Sequence, residues 1–356
     1  MDFLKTVDIA VIGTGSLAQA IAGALSQTQG DSRRIAIIGR SPAKVSQIVS
    51  ICNARVACFR SSCVFTPICI PEFKKRNFSR TLIPLKPRAV FCAASIQSPW
   101  EGSLGRNAWT NLIAEAGFGI TLPLQLDLVA EVVTGLGDTK AAIVNASYPD
   151  CVNVVLQRTA GNIACGIGNA AIVEAFCLAH DAVRSQDVRI VGHHGHLGPW
   201  IRGRSAQHQP RIWVQGRERN SLQFGPRLGK YGEEMNQVTA ATAVRLLLSL
   251  LSGDALQMSL PGVHGMRGGY PFIVKGGKFT LNLPPAITQA EAIAHNRKGE
   301  RLDGIDLEAG VTFMRKARRA LSATGFAYAE GFDFHEWPHV RDKMLVLRDR
   351  LRRVRD

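Results

Sequence analysis

Residues 7 to 39 carry the pattern that most narrows the folds open to this chain. Val7 to Ile12 is a short apolar run rich in β-formers, and Gly13, Gly15 and Ala18 follow it in G-x-G-x-x-A spacing. Leu17, Ala20, Ile21, Ala24 and Leu25 then mark one helical face, Gly30 and Asp31 break it, and Arg34 to Gly39 is a second apolar run. Strands without polar alternation are buried on both faces, as in a parallel sheet. In such a βαβ unit the glycine turn is a dinucleotide-binding device. Gly13 allows the tight turn, Gly15 lets the backbone approach a pyrophosphate, and Ala18 lets helix pack on strand. Ser16 and Leu17 open the helix, whose N–H groups and positive dipole end face the phosphates.

The end of the second strand bears on which dinucleotide fits. An Asp or Glu there binds ribose hydroxyls in NAD proteins, whereas this chain has Gly39-Arg40-Ser41-Pro42-Ala43-Lys44. Arg40 and Ser41 suit a 2′-phosphate, so NADP(H) is expected over NAD(H). The competing reading of Arg40 is a solvent-facing residue before a helix.

Farther on, Arg88 to Ala94 and Lys140 to Asn145 read as further strands, with a long helical pattern over 107–135 between them. Residues 50–87 look less regular. The second half is mixed, with strand patterns at Asp187 to Gly192, Arg211 to Gln215, Tyr270 to Val274 and Phe279 to Leu283, and a long helix over about Met235 to Leu251. The change from βα alternation to a mixed pattern suggests three segments: a doubly wound Rossmann domain over 1–160, an α+β substrate domain over 161–300, and a basic helical extension over 301–356.

Composition excludes some classes and leaves others open. With 46% hydrophobic residues in 356, the chain is not disordered and has ample material for a large core. No apolar run of about 18 residues marks a membrane span, and the N-terminus has no basic leader or cleavage site, so a cytoplasmic setting is expected. Lys and Arg outnumber Asp and Glu by 43 to 28, a net +15, which attracts anionic partners. The densest basic stretch, Arg341 to Asp356, also repeats apolar residues near helical spacing, so a docked helix is expected there and nucleic acid is not. Cys52, Cys58, Cys63 and Cys69 lack paired zinc spacing. They read as buried small hydrophobes, and no metal is expected.

The order of motifs resembles the lactate/malate dehydrogenase family over roughly residues 7 to 300. After the glycine turn, Ala93-Ala94-Ser95 with Glu101-Gly102-Ser103 and Arg106 is similar to the family's post-strand segment and mobile loop. Val144-Asn145 stands where the family has its Asn-Pro-Val-Asp turn, and Gly166-Ile167-Gly168-Asn169 resembles the start of the first substrate-domain helix. Gly192-His193-His194-Gly195-His196 is similar to the Gly-Glu-His-Gly-Asp signature. Tyr270 to Gly277, Leu283-Pro284 and Glu291 resemble the closing hairpin and last helix.

The resemblance implies a nicotinamide-dependent oxidoreductase that transfers hydride at a carbonyl or imine carbon. It implies a small-molecule substrate, Ala93 and Ala94 against the coenzyme, and a homodimer or tetramer. His194 aligns with the acid/base, a role suited to an imidazole that titrates near neutrality. Its alternative is a structural His in a Gly/His-rich turn, and His193 and His196 read as neighbours. Arg106 would polarise the carbonyl oxygen. Asn145 would hydrogen-bond the substrate or the nicotinamide-side network, against a strand-end Asn that merely starts a turn. Thr239 falls where the family lines its substrate pocket, with a core Thr as the alternative.

Two departures stand out. The family's His-orienting Asp and carboxylate-binding Arg fall at Ile172 and Ala175 here, and Glu174 lies about 200° round the helix from residue 172. An ordinary 2-oxo acid is therefore not the expected substrate. Two other readings stay open: a nucleotide-binding protein that has lost its chemistry, and an opine-dehydrogenase-like condensation of an amine with a keto acid. The arginines at 202, 204 and 267 are candidates for holding an anionic substrate from another direction.

Overall fold

The computed structural model describes residues 6–161, 163–180, 183, 187–204 and 208–354. The first two βα units are β1 (Ile9–Ile12), α1 (Ser16–Leu25), β2 (Arg33–Gly39) and α2 (Pro42–Phe59). They are followed by β3 (Cys63–Cys69), α3 (Lys75–Leu85) and β4 (Ala89–Cys92). A short α4 (Glu101–Leu104), α5 (Ala108–Ala116) and α6 (Leu122–Leu136) lead to β5 (Ala142–Asn145), α7 (Pro149–Thr159) and β6 (Cys165–Gly166). These strands form one six-stranded sheet in the order β3-β2-β1-β4-β5-β6. Every pairing in it is parallel, with Ile9 opposite both Ile35 and Ala89. That is the doubly wound order whose reversal beside β1 creates a binding crevice at the strands' carboxyl ends.

Strand residues alternate between two cores, one on each face of the sheet. Ala10, Ile12, Ala36, Ile38, Val90 and Cys92 point into one core, and Ile9, Val11, Ile35, Ile37, Ala89 and Phe91 into the other. The unbroken apolar runs seen in the sequence follow from this two-sided burial, each Ile or Val contributing about 1.5–3 kcal/mol.

The second half contains α8 (Asn169–Leu178), β7 (Val188–Val191), α9 (His194–Ile201), β8 (Arg211–Val214), β9 (Arg217–Arg219) and α10 (Met235–Ser252). Then come β10 (Leu256–Pro261), β11 (Gly269–Lys275), β12 (Lys278–Leu281) and α11 (Gln289–Leu302). Strands β7-β8-β9 and β10-β11-β12 are two antiparallel sheets, linked by a bridge between Gly192 and Gly269. The expected Rossmann-plus-α+β architecture is what the chain adopts.

Residues 50–87 are regular: they hold most of α2, then β3 and α3. Among the four closely spaced cysteines, Cys52 and Cys63 are buried but Cys58 and Cys69 are exposed. The single helix expected over 107–135 is two helices, broken at Gly117 and a 3-10 turn over Phe118–Thr121. That turn and α6 together make an apolar stretch, Phe118–Leu136, long enough to cross a membrane by length and composition, contrary to expectation; it is largely buried inside the protein.

The segment after 300 is not only helical. It holds β13 (Ile305–Asp306), β14 (Val311–Phe313), α12 (Arg315–Ala323), β15 (Gly331–Phe332) and α13 (Trp337–Leu351). The three strands form an antiparallel sheet. Val340, Met344 and Leu347 of α13 share a core with Leu126, Val129 and Val133 of α6, so the basic helix docks onto the half that holds the parallel sheet. Residues 1–5 and 355–356, the ends of stretches read above, lie outside the described residues.

Candidate active site

A cleft of about 1670 Å³ lies at the carboxyl ends of β1, β4 and β5. Gly13, Gly15, Ser16, Leu17, Arg40, Ser41, Ala93 and Ala94 all line it. Gly13 has φ +130°, and a Cβ there would sit 3.2 Å from the backbone N of Ala94, so this close crossing of two loops needs glycine. Gly15, in contrast, has open space around its α-carbon. It is the N-cap of α1 and no side chain caps the first turn, so those N–H groups are available to an anion. Asn236 of α10 donates to Ser16 Oγ at 2.9 Å and ties the turn to the second half. Arg40 lies over the Phe73 ring at 5.6 Å, and Lys44 lines the same end of the cleft. Open backbone over a glycine turn, an uncapped helix start and a cationic far end fit a dinucleotide.

His194, the first residue of α9, also faces this cleft. Its Nδ1 lies 2.8 Å from Asp303 Oδ2, which leaves Nε2 to exchange a proton. Tyr148 OH donates to the same Oδ2 at 3.0 Å. The Phe118 and Tyr148 rings flank the imidazole at 4.7 and 5.2 Å. Burial pulls the pKa of His194 down, but the charge and hydrogen bond of Asp303, with the charge of Asp150, outweigh it and hold the imidazole above its ordinary value.

Asp150 lies beneath the pair and fully buried. Its Oδ1 accepts from the His194 backbone N–H at 3.2 Å, and its Oδ2 accepts from the Asn169 side chain. Burial pushes this carboxyl up to about 7, against the opposing pull of His194 and Asn169.

Asp303 comes from the C-cap of α11, a place to which no motif pointed. Gly117, at φ +98°, makes the position possible: a Cβ on it would come within 2.4 Å of the Asp303 carbonyl oxygen. Gly119 N–H donates to that oxygen at 2.8 Å. The same glycine that interrupts the 107–135 helix thus admits the backbone carrying the acid. Ile172 lines the cleft as an apolar wall. Glu174 points away from it, accepting from the Ser259 N–H of β10 at 2.6 Å.

The other anticipated residues divide. Thr239 and Arg106 line the cleft, Arg106 from an exposed loop. Asn145 does not: it is fully buried, and its amide bonds Asn153 Oδ1, the Ser147 carbonyl and the Ser147 N–H. It shapes the turn after β5, the alternative its strand-end position offered. His193 and His196 are buried; Gly195 N–H donates to His193 Nδ1 at 3.2 Å and His193 N–H to His196 Nδ1 at 3.1 Å. Cys151, His193 and Glu300 bring possible ligand atoms within 4.8 Å of one another. Arg267, 3.3 Å from Glu300 Oε1, already supplies a positive charge there.

The C-terminal helix reaches the cleft as well. Arg352 lines it and makes two bonds to Glu101, at 2.7 and 2.5 Å. Arg348 donates to the Ile96 carbonyl at 2.7 Å, and Ala108 N–H to the Val354 carbonyl at 3.0 Å. The segment from the end of β4 to the first residue of α5 is therefore tethered at three points by residues beyond the stretch that carries the resemblance.

Fold and site together define a doubly wound α/β protein with a His–Asp pair in the crevice at the carboxyl ends of its strands. Comparison with solved structures agrees with that class. Malate dehydrogenase from Plasmodium falciparum superposes with a TM-score of 0.54 at 15% identity, covering 84% of this chain and 100% of that one. Lactate dehydrogenase from Cryptosporidium parvum, complexed with lactic acid and nicotinamide adenine dinucleotide, gives 0.52 at 15%, covering 84% and 97%. The P. falciparum malate dehydrogenase complex with NADH gives 0.53 at 13%, covering 83% and 99%. No protein-family model and no curated protein matches the sequence. The chain has the lactate/malate dehydrogenase fold, in a divergent form.

Proposed function

We propose that this protein is an oxidoreductase of the lactate/malate dehydrogenase type, dependent on NADP(H), that acts on a ketone or imine carbon of an anionic substrate. One observation carries the reading: the His194–Asp303 pair opens onto the same cleft as the Gly13–Gly15 turn. The nicotinamide coenzyme, when bound, supplies or accepts the hydride. Gly13, Gly15, Ser16 and Leu17 would hold its diphosphate, Ala93 and Ala94 would line its path, and Arg40, Ser41 and Lys44 would hold a 2′-phosphate.

The protein's own part is proton transfer and charge placement. Asp303 fixes the Nδ1–H tautomer of His194 and stabilises its cation, so that Nε2 gives a proton to the substrate oxygen or nitrogen during reduction. In the reverse direction the neutral imidazole takes that proton. Arg106 polarises the carbonyl from the loop wall, and Thr239 lines the pocket. The dehydrogenase resemblance extends the proposal to a homodimer or tetramer. The free thiol on each of the eight cysteines suits a reducing, cytoplasmic setting.

The test follows NADPH oxidation by purified protein against a panel of oxo acids, ketones and imines, with and without an amine. Turnover by the wild type that falls at least a hundredfold in His194→Ala supports the proposal. Coenzyme binding without turnover across the panel, unchanged in that variant, favours a non-catalytic nucleotide-binding protein. A strict need for amine plus keto acid favours opine-type condensation.

A further inference from the structure

We infer that Arg202 is the substrate's anion-binding residue, and that the substrate is an oxo or imino compound whose anionic group is separated from the reacting carbon by an apolar spacer. The inference rests on the oxidoreductase reading above. Among the cations lining the cleft, Arg40 follows β2 and Lys44 lies in the first turn of α2, Arg352 is committed to Glu101, and Arg106 and Lys230 are exposed. Arg202 differs from all of them. It is half-buried, its Nε is buried with no partner, and no carboxylate pairs with it among the described residues. Its guanidinium rests on the Tyr231 ring at 5.7 Å, and Nη1 donates to Tyr231 OH at 3.4 Å, so it is held in place by a neutral group. A guanidinium taken partly out of water without a counter-charge is costly, and an anion entering the cleft would offset that cost.

Position sets the spacing. Arg202 caps the carboxyl end of α9 and His194 begins it, with eight residues in the helix. A rise of about 1.5 Å per residue puts their backbones about 12 Å apart along the axis. Leu197 and Pro199 of α9, with Trp100 and Ile172, line the cleft too and give it apolar wall. The carboxylate of a 2-oxo acid lies one bond from its carbonyl, and Ile172 and Ala175 offer it no cation.

The test measures calorimetric binding of a graded series of methyl-ketone carboxylates to protein saturated with NADP+. The series runs from pyruvate through 4-oxopentanoate to 7-oxooctanoate, with 2-octanone as the neutral control. We expect affinity to rise with spacer length. Arg202→Gln should weaken the best acid ten- to a hundredfold and Arg202→Lys less, with 2-octanone unaffected by either. Pyruvate binding best, no member of the series binding, or an unchanged affinity in Arg202→Gln overturns the inference. NADPH fluorescence on the same samples separates the two levels: wild type that fails to bind coenzyme refutes the oxidoreductase reading itself. Intact coenzyme binding in Arg202→Gln shows that the variant is folded.

Discussion

His194 and Asp303 lie 109 residues apart in sequence and 2.8 Å apart in space. Ile172 of α8 offers no acid to the imidazole; the carboxylate beside it comes instead from the end of α11. On the proposed function, that carboxylate takes the orienting role for which residue 172 has no acid.

Replacing that carboxylate should be costly to catalysis. Asp303→Asn keeps the shape but removes the charge, and kcat/KM for reduction should fall about 10²–10⁴-fold. On the proposed function, reduction needs the His194 cation, so kcat/KM of the wild type should decline as pH rises through a pKa above 6.5, the ordinary histidine value. In Asp303→Asn that inflection should move to lower pH. A pH–rate profile of both proteins checks this, and coincident inflections would refute the pairing.

Arg40 should set coenzyme choice. Arg40→Ala should weaken NADPH binding about tenfold, the loss of one charge-assisted contact to phosphate, and leave NADH nearly unchanged. Parallel fluorescence titrations measure the ratio. Equal losses for both coenzymes would show that Arg40 does not read the 2′-phosphate.

The buried carboxyl of Glu174 makes a stability prediction with a definite sign. Burial pushes it up to about 7 from 4.5, so between those values the unfolded chain has released its proton while the folded chain keeps it. This group's contribution to stability therefore falls as pH rises from about 4.5 to 7 and is flat above that. Urea unfolding of Glu174→Gln and wild type should diverge across this window, the wild type losing up to about 3 kcal/mol relative to the variant. A pH-independent difference would contradict the assignment.

Tethering of the loop between β4 and α5 by the C-terminal helix should be visible in exchange. Arg352→Ala removes both bonds to Glu101, a partly exposed pair contributing up to about 1 kcal/mol. Hydrogen–deuterium exchange should speed up within residues 98–107 while the β1–β4 core stays protected. Unchanged exchange in that loop would show that the tether is not Arg352.

What the sequence conveyed follows from how local each signal is. The glycine turn, the two-sided apolar runs of β1, β2 and β4, and His194 in its Gly/His signature are contiguous patterns, and each element lies where it was expected. Strand β3 was hidden because Cys63–Cys69 carries Pro67 and alternates apolar with exposed residues. It is the sheet's edge, where Pro is tolerated and one-sided burial suffices. Asp303 had no signature at all. An Asp followed by Gly304 after a helix reads as a helix stop, and only the fold brings it beside residue 194. Asn145 shows the converse: a strand-end Asn matches a catalytic position in order, yet its amide is spent on the turn it begins.

The proposed function requires a nicotinamide coenzyme that lies across the Gly13–Gly15 turn and reaches His194. Trp100 lines the same cleft, so energy transfer from tryptophan to reduced nicotinamide measures this directly. Titration of the full chain with NADPH should give a saturable signal at one coenzyme per chain, with NADH binding more weakly. An absence of saturable binding by either coenzyme would contradict the proposed function.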